Sequence, residues 1–185
     1  MHFFDIDPDK IIQQKFAAAL GLDKYSYIME NVNKIDISEN EIFQKTFNSF
    51  YIVRRNEEWR KAYYHLFEES KKSLPTFGDT LYQLYDATGN VEASFSSKMI
   101  ATLNPQMPIW DKYVVQNLKI KVPQYGDVKR MDTIIMQYQQ IITWYEDFLE
   151  SEKAHECITK FDEVFPDYRW ISDVKKVDFF LWSIR

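Results

Sequence analysis

Glycine is scarce in this sequence: four residues of 185, at positions 21, 78, 89 and 126. An all-β chain of many tight turns needs more, and so does a glycine-rich loop that cradles phosphate. Cysteine is scarcer still. Cys157 stands alone, which excludes an internal disulfide and leaves no cysteine set for a zinc or iron–sulfur centre. No apolar run approaches the ~18 residues of a membrane span. The N-terminal MHFFDIDPDK has no basic region ahead of a long apolar stretch, so no signal peptide is expected. HExxH, GxSxG, P-loop and dinucleotide motifs are missing. His2, His65 and His155 have no mutual metal-ligand spacing. The expectation is a cytoplasmic protein without membrane segment, metal or cofactor.

What the chain has in plenty is large rings: 14 Phe, 12 Tyr and 5 Trp. They supply a sizeable core without covalent staples. The length fits one domain over residues 1–185, with residues 1–72 forming at most a small lobe. Net charge is −5, which argues against a surface that is basic throughout. The charge is unevenly spread. Residues 111–130 hold five bases and two acids, residues 41–72 seven bases and five acids, and residues 131–166 two bases and eight acids. Local basic patches therefore remain available for a polyanion such as DNA.

Periodicity predicts helices almost throughout. Asp7-Pro8 opens the first, carrying Ile12, Phe16 and Leu20, and Gly21 closes it. A short helix spans residues 25–31. Ser38 and Glu41 form a capping box ahead of Ile42, Phe43, Phe47, Phe50 and Tyr51. Asn56 restarts a helix with Trp59, Tyr63, Leu66 and Phe67, and Pro75 ends it. Thr76 caps the next, which Gly89 ends, and Asn90 starts another over 91–103, stopped by Asn104-Pro105. A helix from Trp110 to Leu118 leads to an extended segment at 120–123. Gly126-Asp127 opens the longest periodic run, Met131 to Leu149. Two more helices carry Cys157, Ile158, Phe161 and Val164, then Val174, Val177, Leu181 and Ile184. The fold class is all-α, a compact multi-helix globule.

The informative segment is TGNVEASFSSKMIATLNPQMPIWDKYVVQNL, residues 88–118. On a helix, Val91, Phe95, Met99 and Leu103 form an apolar stripe, while Ser94, Ser97, Lys98 and Ala101 share another face. Lys98 then rises from a floor of small residues, either as a snorkelling lysine at a close helix contact or as a nucleophile. Asp111 lies near the start of the next helix, where it is either an N-cap or a carboxylate poised to stabilise positive charge. An amine and a carboxylate are the minimal pair for breaking an N-glycosidic bond through an imine.

The pattern S-K-x-x-A…N-P-x-x-P-I-W-D-x-x-V resembles the Lys-then-Asp segment of helix–hairpin–helix DNA glycosylases. The resemblance covers about thirty residues and implies that fold, with Lys98 as the nucleophilic lysine and Asp111 as the essential aspartate. The glycine-containing hairpin of those enzymes has no counterpart. Gly89 is the only glycine near Lys98. The strings FYIVRRNEEWRKAYYHLFE and EASFSSKMIATLNPQMPIWDKYVVQNL also resemble an uncharacterised family of small bacterial proteins.

Two further constellations suit DNA. In FYIVRRNEEWRK a continuous helix would stack Tyr51, Arg55 and Trp59, and a guanidinium of Arg54 or Arg55 grips phosphate oxygens in pairs. The alternative there is a surface laced by Arg54–Glu58 and Glu57–Lys61 pairs. Lys112, Lys119, Lys121, Lys129 and Arg130 follow Asp111 and make either a solvated face or a phosphate-contacting rim. Trp110 is a core ring or the wall of a base pocket. Two readings compete with catalysis: a non-catalytic nucleic-acid-binding module and an acidic protein–protein interaction domain.

Overall fold

Side-chain caps decide where most helices begin. In the computed structural model, which describes residues 7–13 and 21–183, ten α-helices occur and no strand. They are α1 (Pro8–Gln13), α2 (Leu22–Asn31), α3 (Glu41–Tyr51), α4 (Glu57–Ser73), α5 (Phe77–Thr88), α6 (Ala93–Leu103), α7 (Lys112–Asn117), α8 (Arg130–Leu149), α9 (Glu152–Val164) and α10 (Asp173–Ser183). Asp7 Oδ1 accepts the Lys10 amide at 3.1 Å ahead of α1. Asn56 Oδ1 accepts the Trp59 amide at 2.9 Å, and Thr76 with Asp79 forms a reciprocal capping box. Phe16, Leu20 and Ile184 of the expected stripes lie outside the described residues, as does His2.

Several boundaries differ from expectation: α2 begins at Leu22, α6 at Ala93 and α8 at Arg130, and two other differences have a clear local cause. The cap of α3 is Asn40, whose Oδ1 accepts the Phe43 amide at 2.9 Å. Ser38 instead donates its hydroxyl to Asp36 at 2.6 Å, a local turn that competes with helix initiation. The Trp110–Leu118 helix shrinks to six residues because Asp111 is its cap and Pro108 holds the preceding chain extended. The segment at 120–123 is a strap, not a strand.

By its internal contacts the chain divides into two units, at 20/21 and 104/105. The first comprises residues 1–20 and 105–185, the second residues 21–104. In the second unit α2 packs on α3, α4 on α5, and α5 on α6. Its core is a cluster of rings. Phe47 lies 4.6 Å from Tyr51, 5.6 Å from Phe67 and 5.9 Å from Tyr64 by centroid. Trp59 stacks on Tyr63 at 4.9 Å and leans on Phe95 at 4.7 Å. Each such pair adds ~0.5–1.5 kcal/mol beyond the area it buries. The 32–40 loop is tied to α4: Glu68 accepts the Ile37 amide at 2.9 Å, and Lys71 donates to Ile35 O at 2.8 Å.

In the first unit α9 packs on α1, α8 and α10, and α7 packs on α10. Trp144 and Phe148 stack at 4.8 Å on α8, and Phe161 of α9 lies parallel to Phe179 of α10 at 5.9 Å. The Pro-rich connection is fixed by hydroxyls. Tyr138 donates to Pro108 O at 2.7 Å, and Ser172 donates to Pro105 O at 2.6 Å. These bonds satisfy carbonyls that the prolines leave without a helical partner and set the position of Ile109, Trp110 and Asp111.

Candidate functional site

Each unit holds at least one almost wholly buried lysine. In the second unit this is Lys98, only 6% exposed. Helix α6 is buried on nearly every side, and so are Ser96, Ser97, Met99, Ile100, Ala101 and Thr102. On such a helix a lysine finds little open surface along which to snorkel, and only Ser94, Phe95 and Leu103 are half-buried. Its Nζ lies 2.6 Å from Ser94 Oγ, one turn earlier, and 5.2 Å and 5.8 Å from the ring centroids of Phe95 and Tyr51. A hydroxyl and two aromatic faces thus stand around the ammonium. The small-residue face read from the sequence is realised, with Ser97 donating to Ser94 O at 3.0 Å.

A second buried charge on the same helix is Glu92, at the N-terminal edge of α6. Arg55 Nη2 lies 2.6 Å from Glu92 Oε1 and 2.7 Å from Oε2. The guanidinium carbon also stands 5.5 Å from the Trp59 centroid and 5.4 Å from that of Phe95. Arg55 and Trp59 therefore meet as expected, though not on one helix with Tyr51. The chain breaks at Ile52, with φ 54°, and re-enters helix only after Asn56. Arg54 lies exposed in that break, outside any helical spacing with Glu58. Glu57 and Lys61 do pair, at 3.1 Å on the surface. Tyr63 closes the floor, its hydroxyl donating to Phe95 O at 3.2 Å. Burial pushes the Tyr63 phenol well above its usual range, with Tyr64, Tyr51 and the Glu92 carboxylate adding to the rise.

Asp111 belongs to the first unit. Its Oδ1 accepts the Tyr113 amide at 2.8 Å and so caps α7. Trp110 beside it is buried. Within its own unit Asp111 acts electrostatically on a cluster that sequence reasoning missed: Lys175, Asp178 and Tyr145. Lys175 Nζ is 3.4 Å from Asp178 Oδ2, and it lies 3.9 Å from the Trp182 centroid and 5.1 Å from that of Phe179. Tyr145 donates its hydroxyl to Asp178 Oδ1. All three polar groups are buried. Burial lowers the Lys175 ammonium to about 8, although Asp178 and Asp111 both pull it upward. Burial raises the Asp178 carboxyl against the pull of Lys175. The signal was present in VKKVDFFLW. Lys175, Asp178, Phe179 and Trp182 follow at i, i+3, i+4 and i+7, which puts two charges on one helical face with two rings. The apolar stripe Val174, Val177 and Leu181 drew attention to another face of a helix that is buried on both.

Lys112, Lys119 and Lys121 are all exposed, as a rim requires. Lys112 Nζ stands 5.8 Å from the Tyr113 centroid. Lys119 adopts φ 54° at the start of the strap, and Gln137 holds the strap by donating to Lys121 O at 2.8 Å. His65 and His155 lie on the surface. Among the described residues no group of three His, Cys, Asp or Glu side chains is placed to hold a metal ion. Nor, among those residues, is any helix long and apolar enough to cross a membrane. No family model, curated protein or solved structure matches the chain.

Proposed function

We propose that this chain is a DNA glycosylase-like enzyme that cleaves an N-glycosidic bond, with Lys98 as nucleophile and Asp111 as the carboxylate that opposes positive charge on the sugar. The observation that carries the reading is the burial of Lys98, with its ammonium set against Ser94 Oγ and the rings of Phe95 and Tyr51. A surface or snorkelling lysine would have its ammonium hydrated. A lysine amine that has shed its proton attacks the anomeric carbon while the base leaves with the bonding electrons. The leaving base takes a proton from solvent, and the resulting amine adduct opens to an imine that water hydrolyses. Exposed Arg54, Lys112, Lys119 and Lys121 supply phosphate contacts in this reading, and Arg55 is engaged by Glu92 at the start of the Lys98 helix. Buried Trp110 would wall the base pocket in this reading. The reading requires Lys98 and Asp111 to serve the same nucleotide.

Borohydride reduction in the presence of DNA with an abasic or damaged site tests this. The expected result is a covalent protein–DNA adduct that Lys98→Gln abolishes and Asp111→Asn reduces. No adduct with any such substrate rejects the enzyme. A second reading, a nucleic-acid-binding module without catalysis, is favoured by one observation: capping of α7 already gives Asp111 a sufficient role. Salt-dependent DNA retention that persists in Lys98→Gln, with no adduct from the wild type, selects that reading. A stable protein complex and no DNA affinity at low salt would select a protein-interaction domain instead.

A further inference from the structure

The strap that joins α7 to α8 exposes side chains that folding alone would hide. The Tyr125 ring is 91% exposed and Val128 fully so. Around them Lys119, Lys121 and Lys129 are exposed and Arg130 is half-buried. One carboxylate, Asp127, lies in the same stretch, and its Oδ1 accepts the Lys129 amide at 2.9 Å. The segment is therefore strongly cationic in a chain whose net charge is −5. The Arg130 guanidinium carbon lies 5.5 Å from the Tyr125 centroid. A cation against a ring holds it in place and leaves the rest of it to solvent. Beside the ring is an open cavity of about 620 Å³, bordered by Lys121, Pro123, Gln124, Asp127 and Thr133. Clefts for small molecules and nucleosides span ~300–1,000 Å³.

We infer that this strap is a platform for single-stranded nucleic acid, on which Tyr125 stacks an unpaired base while Lys119, Lys121 and Lys129 contact the flanking phosphates. Flat rings on cationic, exposed backbone are what a sequence-tolerant single-strand site needs, because every base has a π-face but presents it only when unstacked. Asp127 and Thr133 offer hydrogen-bond partners at the cavity wall for a base edge or ribose hydroxyl. An anionic membrane is the competing occupant. It would favour a continuous apolar protrusion, whereas Val122, Tyr125 and Val128 are separated by Pro123, Gln124, Gly126 and Asp127. The inference deepens the nucleic-acid part of the proposed function and is independent of its chemistry.

Fluorescence anisotropy of the full chain with a labelled oligothymidylate of about 16 nucleotides tests it. The expected result is preference for that strand over a duplex of equal length at low salt. Tyr125→Ala weakens binding roughly tenfold or more, the effect of removing one base–aromatic stack, and Tyr125→Phe restores it. Lys119→Gln with Lys121→Gln lowers the salt slope by about 0.7 for each phosphate no longer neutralised. Unchanged binding in Tyr125→Ala overturns the inference. So does equal affinity for duplex, or retention on phosphatidylserine vesicles with none on the oligonucleotide. Lys98→Gln separates the two levels. Oligonucleotide binding that needs Tyr125, with no borohydride adduct in the wild type, keeps the platform and ends the enzyme. An adduct that needs Lys98, with binding indifferent to Tyr125, does the reverse.

Discussion

Replacing Lys175 and Asp178, singly and together, probes the buried charge cluster of the first unit. Lys175→Met leaves Asp178 with the Tyr145 hydroxyl but without its cation, in a site closed to water. Asp178→Leu leaves the Lys175 ammonium without its carboxylate in the same site. Breaking a buried pair in this way costs about 3–5 kcal/mol, because the remaining charge is unpaired. The double variant Lys175→Met, Asp178→Leu removes both desolvated charges. Its remaining cost is the Tyr145 hydroxyl, now without its acceptor, at ~1–3 kcal/mol. Adding Tyr145→Phe removes that hydroxyl, so the triple variant should match or exceed the wild type. Urea unfolding followed by tryptophan fluorescence measures each protein. Burial holds the Lys175 ammonium at about 8 in the folded chain against 10.5 in the free side chain. The folded state therefore binds fewer protons than the unfolded state between those values. Wild-type stability, relative to the double variant, rises across that window by up to about 3 kcal/mol. Below pH 8 Lys175 is protonated in both states and adds no further slope, while the raised Asp178 carboxyl adds a slope of the opposite sign at acid pH. If the single losses simply add in the double variant, or if the relative stability falls between pH 8 and 10, the cluster does not have the energetics argued here.

Other expectations are smaller in scope. Burial pushes the Cys157 thiol up to about 12, so at pH 8 it should react with a disulfide reagent orders of magnitude more slowly than free cysteine and become fast in urea. Asn56→Ala removes the α4 cap and should cost about 1 kcal/mol by urea unfolding, while Asn56→Ser keeps most of it. Gly21 has φ 72°, and an added Cβ would stand 3.0 Å from Phe50 Cδ2. Gly21→Ala should lower the melting temperature measurably, through both left-handed strain and that close approach.

How much of the fold is legible in the sequence depends on which interactions are local. Thr76, Gly89, Asn56 and Asn104-Pro105 mark helix ends in the sequence because a cap, a left-handed residue or a proline acts within a few positions of itself. Ser38 misleads because the same hydroxyl that caps a helix also closes a turn on Asp36. The break at Ile52 is invisible, since FYIVRRNEEWRK carries neither glycine nor proline and the left-handed residue is an isoleucine. Lys98 is legible as the odd residue on a small face, but its burial on all sides is not, because that depends on packing remote in sequence. The Glu92–Arg55 pair, 37 positions apart, and the Tyr145–Asp178 bond, 33 apart, belong to the same class. Asp111 reads in the sequence both as a cap and as an acid. It is a cap, and its field on Lys175 could not be foreseen from a spacing to Lys98.

Mapping the covalent adduct tests the central claim most directly. After borohydride reduction on abasic-site DNA and proteolysis, mass spectrometry of the cross-linked peptide identifies the lysine that formed the imine. The proposed function predicts the adduct on Lys98, with trypsin no longer cutting after it. An adduct confined to Lys119, Lys121 or Lys175, or no adduct under conditions where the DNA is bound, would contradict it.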